Sequence, residues 1–150
     1  MKIAIAADHA GVELRDQIAH HLRLKGFAVD DLSPENHPDD DYPLIVEPLA
    51  RAIAGGRYER GIFCCGSGIG PAVAANKIPG VRATVADNEW SARDAVSHVD
   101  VNFLTLGERV IGDELAKSVV DAYLAARPEG GRHERRRKQI AEMDRVRSGV

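Results

Sequence analysis

Cys65 closes the apolar run Ile62-Phe63-Cys64-Cys65, and Gly66-Ser67-Gly68-Ile69-Gly70 follows directly. An apolar strand, a glycine turn and a helix start at Pro71 let backbone N–H groups converge on an anion at the helix N-terminus. A thiol at the lip of such a pocket sits where the thiolate is favoured, and a thiolate takes protons from carbon as well as attacking carbonyls. The same turn also serves as a plain strand–helix connection, and Cys65 as a small buried hydrophobe. The motif is no Walker loop, since no Gly-Lys-Ser/Thr follows. Its third glycine also falls one position early for a dinucleotide fingerprint.

Three further residue types lie near predicted strand ends. Asp8-His9 follows the first apolar run, and His98 precedes the last one. The basic block Arg132-His133-Glu134-Arg135-Arg136-Arg137-Lys138 is either a solvated face or a phosphate clamp, with Arg132 and Arg136 four apart on one helix face.

The elements that must position these groups alternate. Strands are predicted at 2–7, 27–32, 60–65, 80–86 and 102–106, and helices at 12–25, 43–54, after the glycine turn, at 88–97 and at 112–126. This rhythm predicts a doubly wound, flavodoxin/Rossmann-like α/β fold: one domain over 1–150, with a five-stranded parallel sheet of order 2-1-3-4-5. Ligands in such sheets sit beyond the strand carboxyl ends at the order switch, so Asp8-His9 and residues 65–70 should face one crevice. A final helix, about 132–148, carries only a thin apolar stripe of Ile140, Met143 and Val146, which suits docking on a partner subunit.

Composition narrows the function classes. A net charge of -3 gives no general attraction to nucleic acid or anionic membrane. No apolar run approaches the ~20 residues of a membrane span, and Asp8 interrupts the short apolar start, against a signal peptide. The two cysteines are adjacent, which makes neither a structural disulfide nor a metal-ligand pattern and fits a cytoplasmic protein; strand alternation points them to opposite faces.

Taken together, Asp8-His9-Ala10-Gly11, residues 65–70, Ala74-Ala75-Asn76-Lys77, Gly80-Val81-Arg82-Ala83, His98, Gly107-Glu108-Arg109-Val110-Ile111-Gly112 and Glu129-Gly130-Gly131-Arg132 resemble the ribose-5-phosphate isomerase B family of sugar-phosphate isomerases. The match runs in order over nearly the whole chain. The resemblance implies interconversion of ribose 5-phosphate and ribulose 5-phosphate through an enediolate, with no metal or cofactor, in a homodimer or homotetramer. It assigns Cys65 as the base that moves a proton between C1 and C2. Relatives without this cysteine use a glutamate on the following helix, where this chain has Ala74. It assigns furanose ring opening to His98 with help from Asp8, and enediolate stabilisation to Gly66, Ser67, Gly68, Ile69 and Gly70. Phosphate falls to His9, Arg132 and Arg136, with Arg109 also in the site and some groups contributed by the neighbouring subunit.

One position departs from the family. Val99 stands where an asparagine that contacts substrate oxygen is usual, which leaves room for another substrate: a tetrulose, allose or galactose phosphate. Two readings of other classes are a non-catalytic anion- or nucleotide-binding flavodoxin-like module and a redox sensor using Cys64-Cys65.

Overall fold

The computed structural model describes residues 1–149. Its strands are β1 (Lys2–Ala7), β2 (Ala28–Asp31), β3 (Arg60–Cys65), β4 (Ala83–Val85) and β5 (Phe103–Gly107). The helices between and after them are α1 (Val12–Leu24), α2 (Tyr42–Ala54), α3 (Ile69–Ala75), α4 (Glu89–Val99), α5 (Asp113–Ala125) and α6 (Arg132–Ser148). β1 and β3 begin and end as predicted; β4 keeps only Ala83–Val85, the later part of its predicted span.

Local chemistry accounts for the boundaries. In α1, Leu14, Ile18 and Leu22 recur every fourth residue and are buried, and Gly26, in the left-handed region at φ 88°, ends the helix turn. α2 starts with Pro43 in its first turn, where a missing N–H costs nothing. Asn88 caps α4 by accepting the Ser91 N–H at 2.8 Å.

All strand pairs are parallel, and the sheet order is β2-β1-β3-β5-β4. The parallel five-stranded sheet is as expected, but the order 2-1-3-4-5 is corrected: the last two strands exchange places. Burial explains the exchange. Phe103, Leu104, Thr105 and Leu106 of β5 are wholly inaccessible, so this strand needs a neighbour on each side, whereas β4 is three half-exposed residues that suit an edge. The switch between β1 and β3 is unaffected. The exchange sets Gly107 beside Cys65, so the chain leaving β5 runs directly over the glycine turn.

Helices cover both faces. Leu14, Ile18, Val96, Val119 and Tyr123 pack with Ile62 and Cys64 on one side; Ile45, Leu49 and Ile53 pack with Phe63 and Cys65 on the other. The cysteines therefore diverge as strand alternation predicts. α6 packs against α4 and leaves Ile140, Met143 and Val146 exposed. Among the described residues no helix is long and apolar enough to cross a membrane.

Candidate active site

The carboxyl ends of β1, β3 and β5 gather Asp8, His9, Cys65, residues 66–70 and Arg109. Asp8 donates its N–H to the Cys64 carbonyl at 3.3 Å, which ties the end of β1 to β3. Gly11 keeps the following turn tight: a Cβ there would strike the Cys64 backbone. The Asp8 side chain is 5% exposed and accepts the Ala10 N–H at 2.9 Å. Burial raises its pKa above the usual carboxylate range, against the pull of that N–H and of the His9 charge. A carboxyl held in this way is suited to proton exchange.

Cys65 is 4% exposed, and its Sγ accepts the Gly68 N–H at 3.0 Å. Gly68 adopts φ 81°, which turns its amide back toward the sulfur, and a Cβ there would lie 2.9 Å from Val85 Cγ2. Thr105, wholly buried in β5, donates its hydroxyl to the Gly68 carbonyl at 2.6 Å. Both sides of the Gly68 residue are thus anchored, its N–H to the thiol and its C=O to the sheet. The first turn of α3 opens directly after it, with N–H groups that have no intrahelical acceptor. Ile69 N–H donates to Ser67 Oγ at 3.2 Å. Tyr42 covers the end of the turn, where a Cβ on Gly70 would strike its ring.

Arg109 arrives through the swapped strand order. Glu108 N–H donates to the Cys65 carbonyl at 2.7 Å and Arg109 N–H to that of Gly66 at 3.1 Å. The guanidinium lies over Gly66 and its charge reaches both Asp8 and His9. His9, half-exposed, pairs through Nδ1 with Asp40 Oδ1 at 2.6 Å, and this bond raises its pKa above the ordinary histidine value. Arg109 and His9 therefore flank one acid and one thiol.

His98, Val99, Arg132 and Arg136 are not in this cluster. α4 carries the chain back to the amino end of the sheet, where Asp100, just past it, pairs with Arg60 at the start of β3 at 3.5 Å. Five residue steps of strand, about 16 Å at the usual rise, separate that end from Cys65. His98 precedes β5, as the sequence suggests, and so lies at the opposite end of the sheet from Cys65 and Asp8. There His98 Nδ1 pairs with Asp94 at 2.8 Å, and its ring stacks on His133 with centroids 3.9 Å apart. Arg132 and Arg136 are exposed on the first turns of α6, and with burial and the His98 charge they lower the His133 pKa. Val99 packs partly on the core and lines a cavity of about 490 Å³ with Trp90, Ile140 and Met143.

Among the described residues two groups hold ligand-type atoms within 4.8 Å of one another: Asp8, His9 and Asp40, and His98, Glu129 and His133. In the first, His9 and Asp40 already bond to each other; in the second, the parallel histidine rings stack with an interplanar angle of 7°.

Asp40, Tyr42 and Thr105 escape the sequence reading, and His133 enters it only as a member of the basic block. Asp40 lies among Asp39 and Asp41 in a polar loop, and nothing in their spacing tells which turns inward. Thr105 carries a signal, a lone hydroxyl within the apolar run of β5.

The family model for Ribose/Galactose Isomerase matches residues 3–140. The chain belongs to this family. Within that kinship, Escherichia coli ribose-5-phosphate isomerase B is 42% identical over 147 residues, 98% of this chain and 99% of the relative. Pectobacterium atrosepticum D-erythrulose-4-phosphate isomerase is 41% identical over 132 residues, 87% of each chain. Mycoplasma genitalium ribose-5-phosphate isomerase B, solved with bound ribulose-5-phosphate, superposes at a TM-score of 0.92 with 38% identity, covering 96% of each chain.

Proposed function

We propose that this isomerase interconverts ribose 5-phosphate and ribulose 5-phosphate through an enediolate. The observation that carries this reading is the Cys65 thiol, set at the carboxyl end of β3 with a backbone N–H on its sulfur and Asp8, His9 and Arg109 around the same crevice. In the isomerisation step the Cys65 thiolate removes the C2 proton of the open-chain aldose. The electron pair moves into a C1–C2 double bond, and the former aldehyde oxygen takes the negative charge. N–H groups of residues 66–70 stabilise that oxygen. The C2 hydroxyl proton is transferred to O1 as the C2 carbonyl forms, and the electron pair of the double bond takes the proton back from Cys65 at C1, which yields the ketose and regenerates the thiolate.

Ring opening precedes this step. His98 protonates the ring oxygen while Asp8 takes the C1 hydroxyl proton. Since His98 lies at the other end of the sheet from Cys65, it reaches the crevice from a second subunit, and the working form is a homodimer or larger. Arg132 and Arg136 come with it and join His9 and Arg109 around the phosphate. The exposed face of α6 and the adjoining apolar cavity suit such an interface.

Turnover of ribose 5-phosphate in the presence of a metal chelator, against allose 6-phosphate, galactose 6-phosphate and erythrulose 4-phosphate, tests the reading. A highest kcat/KM on ribose 5-phosphate supports it; weak turnover there and strong turnover elsewhere overturns the substrate. A tetrulose phosphate is the second reading. Val99 and the identity to D-erythrulose-4-phosphate isomerase favour it. On that reading Val99→Asn shifts preference toward ribose 5-phosphate.

A further inference from the structure

Four donors converge on Asp40. Its Oδ1 accepts the His9 backbone N–H at 3.0 Å and pairs with His9 Nδ1 at 2.6 Å; its Oδ2 accepts Asn36 Nδ2 at 3.0 Å and the His37 N–H at 3.4 Å. Asn36 is itself anchored, donating to the Ala7 carbonyl at 2.9 Å and accepting from Arg15 Nη1 at 3.0 Å. Ser33 fixes the start of the same loop by accepting the Ala7 N–H at 2.9 Å. A polar loop that reads as solvated thus places one carboxylate against one imidazole at the mouth of the crevice.

We propose that Asp40 is the positioning residue for His9, holding its ring by Nδ1 as a cation whose Nε2–H is presented to the substrate phosphate. The proposal rests on the assignment of His9 to the phosphate site. With Nδ1 bonded to a carboxylate, a protonated ring has one N–H left for substrate, and its direction is set by two bonds to a single oxygen. The groups facing His9 are Asp8 from the end of β1, Asp40 from the loop and Arg109 from beyond β5; the first two favour the cation and Arg109 opposes it. Burial alone would raise the Asp40 pKa, but the bonds from Asn36, His9 and His37 hold it at about 2, so this partner keeps its charge throughout the working range.

The sign follows from the His9 shift. A histidine with a raised pKa stays cationic to higher pH, and phosphate binding weakens as pH rises through that value. Asp40→Asn keeps the shape and an acceptor but removes the charge. It should raise KM for ribose 5-phosphate about tenfold near pH 8 and less than about twofold near pH 5.5, with kcat within about twofold at both. The His9 imidazole resonance, assigned with His9→Asn and followed by NMR with inorganic phosphate as the probe, should titrate at lower pH in Asp40→Asn than in the unaltered protein. Two results overturn the proposal: an unmoved His9 titration, or a KM raised equally at both pH values, which marks Asp40 as merely holding the loop. Failure of the unaltered protein to turn over ribose 5-phosphate would instead strike the functional reading, and the NMR titration with phosphate would still decide the role of Asp40.

Discussion

Adjacent cysteines in this chain have opposite fates. Cys64 is wholly buried among Ile62, Leu104 and Leu106, and burial pushes its thiol pKa up, so it stays protonated and inert. Cys65 faces the other layer and has the Gly68 N–H on its sulfur. This division disfavours a Cys64–Cys65 redox pair and leaves one thiol for chemistry. Cys65→Ala should lower kcat about 10³-fold, the scale of a lost general base, with little change in KM; steady-state kinetics would show otherwise if alanine retained full turnover. Asp8 gives a stability prediction of opposite sign. Its native pKa lies above its unfolded value, so the folded state binds the extra proton, and stability falls as pH rises from the ordinary carboxylate range through the raised value. Asp8→Asn should therefore be inactive yet melt at or above the wild-type temperature at pH 7, with the advantage fading near pH 3. Calorimetry finding the asparagine protein less stable at pH 7 would refute the claim that burial of this carboxylate is costly.

Between elements, the deciding contact is Thr105 on Gly68. Thr105→Val preserves shape and leaves the Gly68 carbonyl without its hydroxyl partner, a loss of about 1–3 kcal/mol for a buried group. Because the same residue aims its N–H at Cys65, the substitution should also slow isomerisation and alter the rate at which iodoacetamide alkylates Cys65. A stability loss with unchanged alkylation and unchanged kcat would separate the bond from the chemistry. The same region shows what sequence could and could not reveal. Apolar runs bounded by glycine and aspartate placed β1 and β3 to the residue, because both strands are buried on two faces and end where the polar site begins. The order of β4 and β5 was not legible, since each run is short and apolar and their exchange depends on burial on both sides. Asp8, His9 and Cys65–Gly70 were legible because they follow strand ends at the β1/β3 switch. Arg109 was found by resemblance, and its route into the site depends on the exchange. Asp40 was hidden because a loop held by side-chain bonds has no period.

At the scale of the molecule, the proposed site residues fall into two separate sets. Cys65, Asp8, His9 and Arg109 lie at the carboxyl end of the sheet; His98, Arg132 and Arg136 lie toward α6 and the amino end, and among the described residues no hydrogen bond or ion pair joins the two sets. A chain that works alone would need to bridge the length of its own β3, whereas two chains related by a two-fold axis would complete both sites at once. This geometry makes a sharp prediction. Cys65→Ala and His98→Asn should each be nearly inactive on ribose 5-phosphate as pure proteins. Unfolded together and refolded as a mixture, half of the dimers would be hybrids, and each hybrid would contain one intact site and one doubly altered site. Activity should then recover to about a quarter of the wild-type value, the binomial share for a two-fold assembly. Refolding each variant separately and mixing afterwards should recover less, to the extent that subunits do not exchange. If co-refolded mixtures stay as inactive as their parents while forming dimers, His98 does not reach the partner's Cys65, and ring opening must be assigned to a residue at the carboxyl end, where Asp8 already stands.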